Sequence, residues 1–202
     1  MTAAIITLLP LSAWAAAPEA EPVQSLDTAL IATMKAGSDN ESFSQRVAAL
    51  SPVVDQSFDL PVITQNSVGF LWNTLPAGQQ QQLAALMEQF TVASYVSQFN
   101  NFNGERISLS RAEKPLGGKR ILQTQIIPSD GSSPTEIDYV VGQDGGGWQI
   151  SDVLLNGTIS QVAIHSSDFS SLVTSGDASQ LIAALKAKIA ALASGSTSSD
   201  GQ

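Results

Sequence analysis

Cysteine is absent from this chain of 202 residues, and histidine occurs once, at His165. Without cysteine the protein forms neither disulfides nor thiolate metal sites. A transition-metal site would therefore depend on carboxylates, and no group of Asp and Glu residues has the spacing of a ligand set. The sequence accordingly predicts no metal and no cofactor.

Basic residues are also scarce. Nine Lys and Arg stand against 18 Asp and Glu, which gives a formal net charge of -9. Nucleic-acid binding requires a basic face, so the composition excludes this class of partner. The same negative charge is repelled by anionic lipid headgroups.

No apolar run is long enough to span a membrane, which takes about 20 residues. The run at residues 3–11, interrupted by Pro10, precedes Ala13-Trp14-Ala15, a small-x-small sequence typical of signal-peptidase sites. We therefore predict that residues 1–15 are a signal peptide and that the mature chain begins at Ala16. We expect no stable membrane insertion.

The first half of the chain predicts helices. Residues 16–25 are rich in proline and acidic residues and are expected to form a flexible leader. Beyond them, apolar residues recur at the three- and four-residue spacing of a helix, most clearly around Leu83, Leu86 and Phe90. The expected helices are residues 26–36, residues 43–50 ending before Pro52, a short helix capped by Asp59, and residues 79–99.

From residue 104 the pattern changes to alternating apolar and polar residues, which is typical of strands. Glycine-containing turns separate the strands, so consecutive strands should pair antiparallel. The four expected strands are residues 106–113, 119–128, 136–143 and 147–155. The alternation places Ile137, Tyr139 and Val141 on one face of the third strand, and Trp148, Ile150 and Leu154 on the same face as Asp152 in the fourth.

Two more helices, at residues 161–172 and 177–192, should precede a disordered Ser/Gly tail at residues 194–202. The predicted fold class is α+β: a curved four-stranded antiparallel sheet covered on one face by N- and C-terminal helices. This NTF2-like cone leaves an apolar cavity between its two layers. We expect residues 26–193 to form a single monomeric domain.

Asp152 interrupts an otherwise apolar face, where an ionised side chain must find hydrogen-bond donors. Two interpretations are open. Asp152 is either the general base of a steroid-isomerase-like enzyme or a structural carboxylate bonded to groups near residues 156–160, and we favour the second. The sequence has no Gly-x-Ser-x-Gly elbow to pair with a catalytic histidine, so we assign His165 a surface or structural role.

Aromatic and aliphatic side chains of the periodic segments are the candidates for a cavity wall. For any single one of them a place in the packed core is the more frequent outcome, and the sequence does not separate the two cases. The cavity residues that we predict are Phe70, Trp72, Leu86, Phe90, Ile137, Tyr139, Val141, Trp148, Ile150 and Val162.

Several short blocks occur in a characteristic order. They are Phe58-Asp59-Leu60-Pro61, Trp72-Asn73-Thr74-Leu75, Asp138-Tyr139, Gly147-Trp148, Ser151-Asp152-Val153 and residues 157–169. This order resembles the MlaC family of periplasmic lipid carriers, the toluene-tolerance auxiliary proteins, and most closely its hopanoid-associated HpnM branch. The chain departs from the family pattern at Ser166, where a basic residue is frequent.

The resemblance implies a soluble, non-enzymatic carrier located in the periplasm, with residues 26–193 as its lipid-binding domain. The implied cargo is a phospholipid or a hopanoid that moves between the inner and outer membranes. The implied partners are an inner-membrane transporter of the ABC or RND type and an outer-membrane acceptor. Two alternatives from other classes stay open, namely the steroid-isomerase-like enzyme and a ligand-free interaction domain.

Overall fold

The computed structural model describes residues 17–143 and 146–195 of the chain, so the expected signal peptide and most of the expected tail lie outside the described residues. Helices come first, strands follow, and helices close the chain. The elements are α1 (Glu21–Ser38), α2 (Phe43–Ser57), α3 (Leu60–Val68), α4 (Ala77–Gln98), β1 (Arg106–Leu116), β2 (Lys119–Ile127), β3 (Thr135–Gly142), β4 (Gln149–Leu155), β5 (Ile159–Ser160), α5 (Gln161–Phe169) and α6 (Ser179–Ala193). Short 3₁₀ helices occupy Pro18–Ala20 and Gly69–Thr74.

The first helix begins earlier than the sequence predicted. Residues 18–25, expected to be a flexible leader, form the 3₁₀ turn and the first part of α1. Pro22 lies in the first helical turn, where the missing N–H of proline costs no intrahelical bond. Val23 is fully buried in the core, so this segment is fixed by packing. The leader prediction is therefore wrong for these residues.

Helix α2 is capped at its N-terminus and extends beyond its predicted C-terminal end. Its N-terminus carries a capping box, because Ser42 Oγ accepts from the Gln45 N–H at 3.3 Å and Gln45 Oε1 accepts from the Ser42 N–H at 3.0 Å. The helix then continues through Pro52 to Ser57, past the expected end at residue 50. Leu50 and Val54, on either side of the proline, are buried, and their packing outweighs the lost hydrogen bond.

The α+β architecture and the antiparallel meander are confirmed, but the sheet has five strands in the described residues rather than four. The strand order is β1-β2-β3-β4-β5, each strand antiparallel to its neighbour. The additional strand β5 is only two residues long and pairs with the end of β4, Leu155 opposite Ile159. Phe58 adds a single parallel bridge to Ile150. So short a strand leaves no alternating pattern for a sequence to reveal.

A β-bulge in β4 changes which residues face the core. Ile150 lies opposite Val141, but the next pair, Asp152 opposite Val140, leaves Ser151 as the extra residue. Because one inserted residue reverses the alternation, Ile150 and Asp152 do not lie on the same sheet face, contrary to the prediction. Beyond the bulge, Val153 is paired with Tyr139 and Leu155 with Ile137.

The core lies between the helices and the sheet face that carries Tyr139, Val141 and Ile150. Helices α1, α2, α3 and α5 all contact β4, and α4 lies between α2 and α6. Gly37 of α1 allows the chain leaving α4 to pass close by, since a Cβ at this position would lie 2.0 Å from the carbonyl oxygen of Asn100.

Within the described residues, no helix combines the length and hydrophobicity that crossing a bilayer requires.

Candidate functional site

A cavity of about 240 Å³ lies between helices α4 and α5 and strands β3 and β4. Its wall is mostly aromatic and aliphatic, with a minority of polar side chains. The apolar wall residues are Phe58, Ile63, Met87, Phe90, Tyr95, Phe99, Ile137, Val153, Leu155 and Val162. The polar wall residues are Thr91, Ser94, Gln98, Asp152, Gln161 and His165.

Helix α4 supplies one side of the cavity through residues at helical spacing. Positions 87, 90, 91, 94, 95 and 98 recur every three or four residues and therefore form one stripe. The neighbouring positions Leu83, Leu86 and Ala93 are buried in the core. The small side chain of Ser94 in the middle of the stripe fills little space, and this helps to keep the cavity open.

The bulge at Ser151 determines the opposite wall. Since it reverses the alternation of β4, Val153 and Leu155 lie beside Ile137 and line the cavity, whereas Leu154 pairs with Asp138 and is not in the lining. The alternation expected from the sequence places the even-numbered residues of β4 on the inner face, so neither wall residue was predicted.

Both oxygens of the Asp152 carboxylate accept hydrogen bonds within the fold. Oδ1 accepts from the backbone N–H of Val153 at 2.8 Å and of Val162 at 3.1 Å, and Oδ2 accepts from the Ser160 hydroxyl at 2.5 Å. Ser160 in turn caps α5 by accepting from the Ala163 N–H at 3.0 Å. Asp152 thus ties β4 to the N-terminus of α5, which supports the structural interpretation rather than the general base.

His165 is half-buried and faces the cavity from α5. Its ring stacks on Phe169, with centroids 5.4 Å apart, and meets Phe90 edge-on at 5.8 Å. Burial lowers the pKa of His165 below its ordinary value, with the charge of Lys188 acting in the same direction and those of Asp168 and Asp152 opposing it. The imidazole is therefore mainly neutral at pH 7. The surface or structural role predicted for His165 did not include this place in the cavity wall.

An aromatic cluster forms the far part of the cavity. The Tyr95 ring lies 6.0 Å from Phe58 and 5.8 Å from Phe99 between centroids. Near it, Asp27 of α1 is buried, and its Oδ1 has no hydrogen-bond partner among the described residues. Burial raises the pKa of Asp27 to about 7, and burial together with the charge of Asp27 raises the pKa of Tyr95.

A sequence model of the MlaC family, described as MlaC protein, matches residues 24–187. The chain belongs to the MlaC family. Its fold is also similar to that of a phospholipid-binding protein from Ralstonia solanacearum, solved in complex with a phospholipid. That similarity has a TM-score of 0.73 at 19% sequence identity and covers 88% of this chain and 99% of that chain. The predicted family is confirmed, whereas the HpnM branch stays a prediction.

Nine of the ten predicted cavity residues of this MlaC family member divide into three groups: those in the cavity wall, those buried in the core, and those packed partly buried against the core. Phe90, Ile137 and Val162 line the cavity. Leu86, Tyr139, Val141 and Ile150 are buried in the core instead, and Trp72 and Trp148 pack partly buried against it. Their roles in lipid binding stay predictions for the first group and are not supported by position for the others.

Phe70 lies elsewhere in this MlaC fold, with 88% of its surface exposed. It is part of the 3₁₀ helix that follows α3, where Gly69 takes a positive φ of 73° and ends the α-helix. The change of direction at Gly69 carries Phe70 out of the packed layer. The prediction that Phe70 belongs to the cavity is therefore wrong.

Proposed function

We propose that the protein is a soluble periplasmic carrier that holds a lipid by its acyl chain in the cavity between α4, α5 and the sheet. In this role it would move lipid between the inner and outer membranes, receiving or delivering it at an inner-membrane transporter of the ABC or RND type and at an outer-membrane acceptor. The proposal is carried by the apolar cavity in a chain of the MlaC family. The phospholipid held by the Ralstonia protein of the same fold supports it.

The size of the cavity favours one kind of cargo. Pockets for drug-sized ligands have volumes of about 300–1,000 Å³, and this cavity of about 240 Å³ lies below that range. A single flexible acyl chain adapts to a narrow space better than a rigid polycyclic hopanoid. We therefore propose an acyl lipid as the cargo, with the cavity widening as the chain enters.

The energetic reason for a carrier is the cost of exposing the tail to water. Each methylene removed from water contributes about 0.8 kcal/mol. A chain of ten buried methylenes would thus gain about 8 kcal/mol, which is enough to hold the lipid while the protein diffuses between membranes. The negative net charge disfavours adsorption of the loaded protein to anionic bilayers, and delivery then depends on protein partners.

Neither alternative function gains support from the site. A steroid-isomerase-like enzyme would need Asp152 as a base, but both of its oxygens already accept hydrogen bonds within the fold. A ligand-free interaction domain would fill the space between its layers, whereas here a cavity lies between them.

Bulky substitutions in the wall test the proposal. Ser94→Trp on α4 and Val162→Trp on α5 fill the cavity from two different elements, and Ile164→Trp places the same side chain at an exposed position of α5. Lipid co-purifying with each folded protein would be extracted and quantified. We expect both cavity variants to retain less than about a tenth of the wild-type lipid, because the loss of a few buried methylenes costs over 1.4 kcal/mol. The Ile164→Trp control should retain the full amount. Unchanged retention in both folded cavity variants would contradict the proposal.

A further inference from the structure

We propose that His165 and Lys188 bind the phosphate of the lipid headgroup at one end of the cavity, so that the protein selects phospholipids over uncharged lipids with the same chains. This inference rests on the proposed function, because it requires a lipid tail in the cavity.

The cavity has two distinct ends along α4. Phe90 contacts His165 at one end, and Tyr95 contacts Phe99 at the other. The nine positions from Phe90 to Phe99 correspond to about 13 Å of helix. An acyl chain lying along this path has its headgroup at one of these ends, and the chemistry of each end decides which.

The end at Phe90 carries the groups that a phosphate needs. The His165 ring is held by its contacts with Phe90 and Phe169 and makes no hydrogen bond with the described residues, so its N–H is available to an acceptor. The Lys188 ammonium lies 6.0 Å from the Phe90 ring centroid, just outside the wall. Neither end has a lysine or arginine among its lining residues. Near the other end, the Arg46 guanidinium donates a hydrogen bond to the Val96 carbonyl oxygen at 2.9 Å and so already has a partner within the fold.

The charges around His165 leave Lys188 as the group that attracts an anion. The Asp152 carboxylate, on β4, is bound by two backbone N–H groups and a hydroxyl, and the N-terminus of α5 lies against it. Asp168 is exposed on α5 and faces water as well as His165. In a chain of net charge -9, a phosphate without a nearby cation would be repelled, and Lys188 offsets this repulsion locally.

Helix α6 offers a matched control for Lys188. Lys186 is exposed on the same helix and has the same charge, but a separation of two residues turns its side chain through about 200° around the helix axis. Replacing either lysine by glutamine changes the net charge equally. Only the change at Lys188 removes the cation beside Phe90.

The experiment measures competition between two lipids with identical chains, dioleoyl phosphatidylglycerol and dioleoylglycerol, offered to the full chain in equimolar mixed vesicles. Retained lipid is quantified by native mass spectrometry of wild type, Lys188→Gln, Lys186→Gln and His165→Phe, the last of which keeps an aromatic ring against Phe169. We expect Lys188→Gln and His165→Phe each to reduce the preference for phosphatidylglycerol by about three- to fivefold, the upper part of the range for one exposed ionic contact. Lys186→Gln should keep the wild-type preference.

Two results would overturn the inference, and they have different consequences. If Lys188→Gln and His165→Phe both keep the wild-type ratio of the two lipids, whatever that ratio is, the headgroup site is wrong while the carrier function stands. If wild type retains neither lipid, the proposed function fails and the headgroup inference fails with it.

Discussion

Asp27→Asn should stabilise the folded protein by an amount that grows as the pH rises from about 4 to about 7. Asp27 lies on α1 with 9% of its surface exposed, and its Oδ1 has no hydrogen-bond partner in the part of the chain that the structure describes. Burial raises the pKa of this carboxyl from 3.8 to about 7. Between these two pH values the folded protein keeps a proton that the unfolded chain has released.

The sign and size of the effect follow from this difference in proton binding. Because the folded-state pKa is raised, the stability associated with Asp27 is fully present below about pH 4 and is lost as the pH rises through about 7. A shift of about three pKa units corresponds to about 4 kcal/mol. Asparagine has nearly the same shape as aspartic acid and does not ionise. The unfolding free energy of the Asp27→Asn variant therefore does not fall with pH for this reason.

Urea unfolding followed by tryptophan fluorescence measures the effect. Between about pH 4.5 and about pH 7.5 the difference in unfolding free energy, variant minus wild type, should increase by about 3 kcal/mol. If the unfolding free energy falls by about 2 kcal/mol per molar urea, this increase corresponds to a change of about 1.5 M in the urea concentration at the unfolding midpoint. Asp55→Asn, at an exposed position of α2, controls for the loss of one negative charge. A difference that stays constant with pH would refute the buried, proton-binding state of Asp27.

Three further substitutions test local features of the fold by the same urea assay. Gly37→Ala should destabilise by about 1–3 kcal/mol, because its Cβ would lie 2.0 Å from the Asn100 carbonyl oxygen. At Gly78 no described residue beyond its own helical turn lies within 4 Å of an added Cβ, so Gly78→Ala should instead stabilise by about 0.4–1 kcal/mol. Equal effects at the two glycines would contradict the close approach at Gly37. Ser42→Ala should cost about 1 kcal/mol by removing the acceptor for Gln45, and an unchanged midpoint would exclude the cap.

The elements with strong periodicity were predictable from the sequence. The stripe of α4 and the alternation of β2 and β3 repeat over enough residues to identify helix and strand. Element boundaries were less predictable, since they depend on distant contacts. Pro52 is retained inside α2 by the packing of Leu50 and Val54, and α1 extends to Glu21 because Val23 finds a place in the core. These tertiary contacts leave no pattern in the local sequence.

The site was predictable only in part, for a related reason. The sequence placed Phe90, Ile137 and Val162 in the cavity wall, but a single bulge at Ser151 exchanged the faces of β4 and brought Val153 to the wall instead of Leu154. A bulge of this kind adds one residue without a composition signal.

The groups at the Phe90 end of the cavity, His165 and Lys188, could not be predicted from the spacing of residues in the sequence. His165 and Lys188 lie on different helices, 23 positions apart in the chain, and both lie close to Phe90 of a third helix. Only the tertiary arrangement of α4, α5 and α6 brings these three residues together.

Crosslinking would show directly whether the lipid tail lies in the cavity. A phospholipid that carries a photoactivatable diazirine near the end of one acyl chain would be loaded from vesicles, irradiated, and the modified residues mapped by peptide mass spectrometry. The structure predicts labelling on the cavity stripe of α4, around Ser94 and Tyr95, and on β4 at Val153. Labelling confined to the exposed 3₁₀ helix around Phe70, or no labelling at all, would contradict the proposal that the cavity holds the acyl chain.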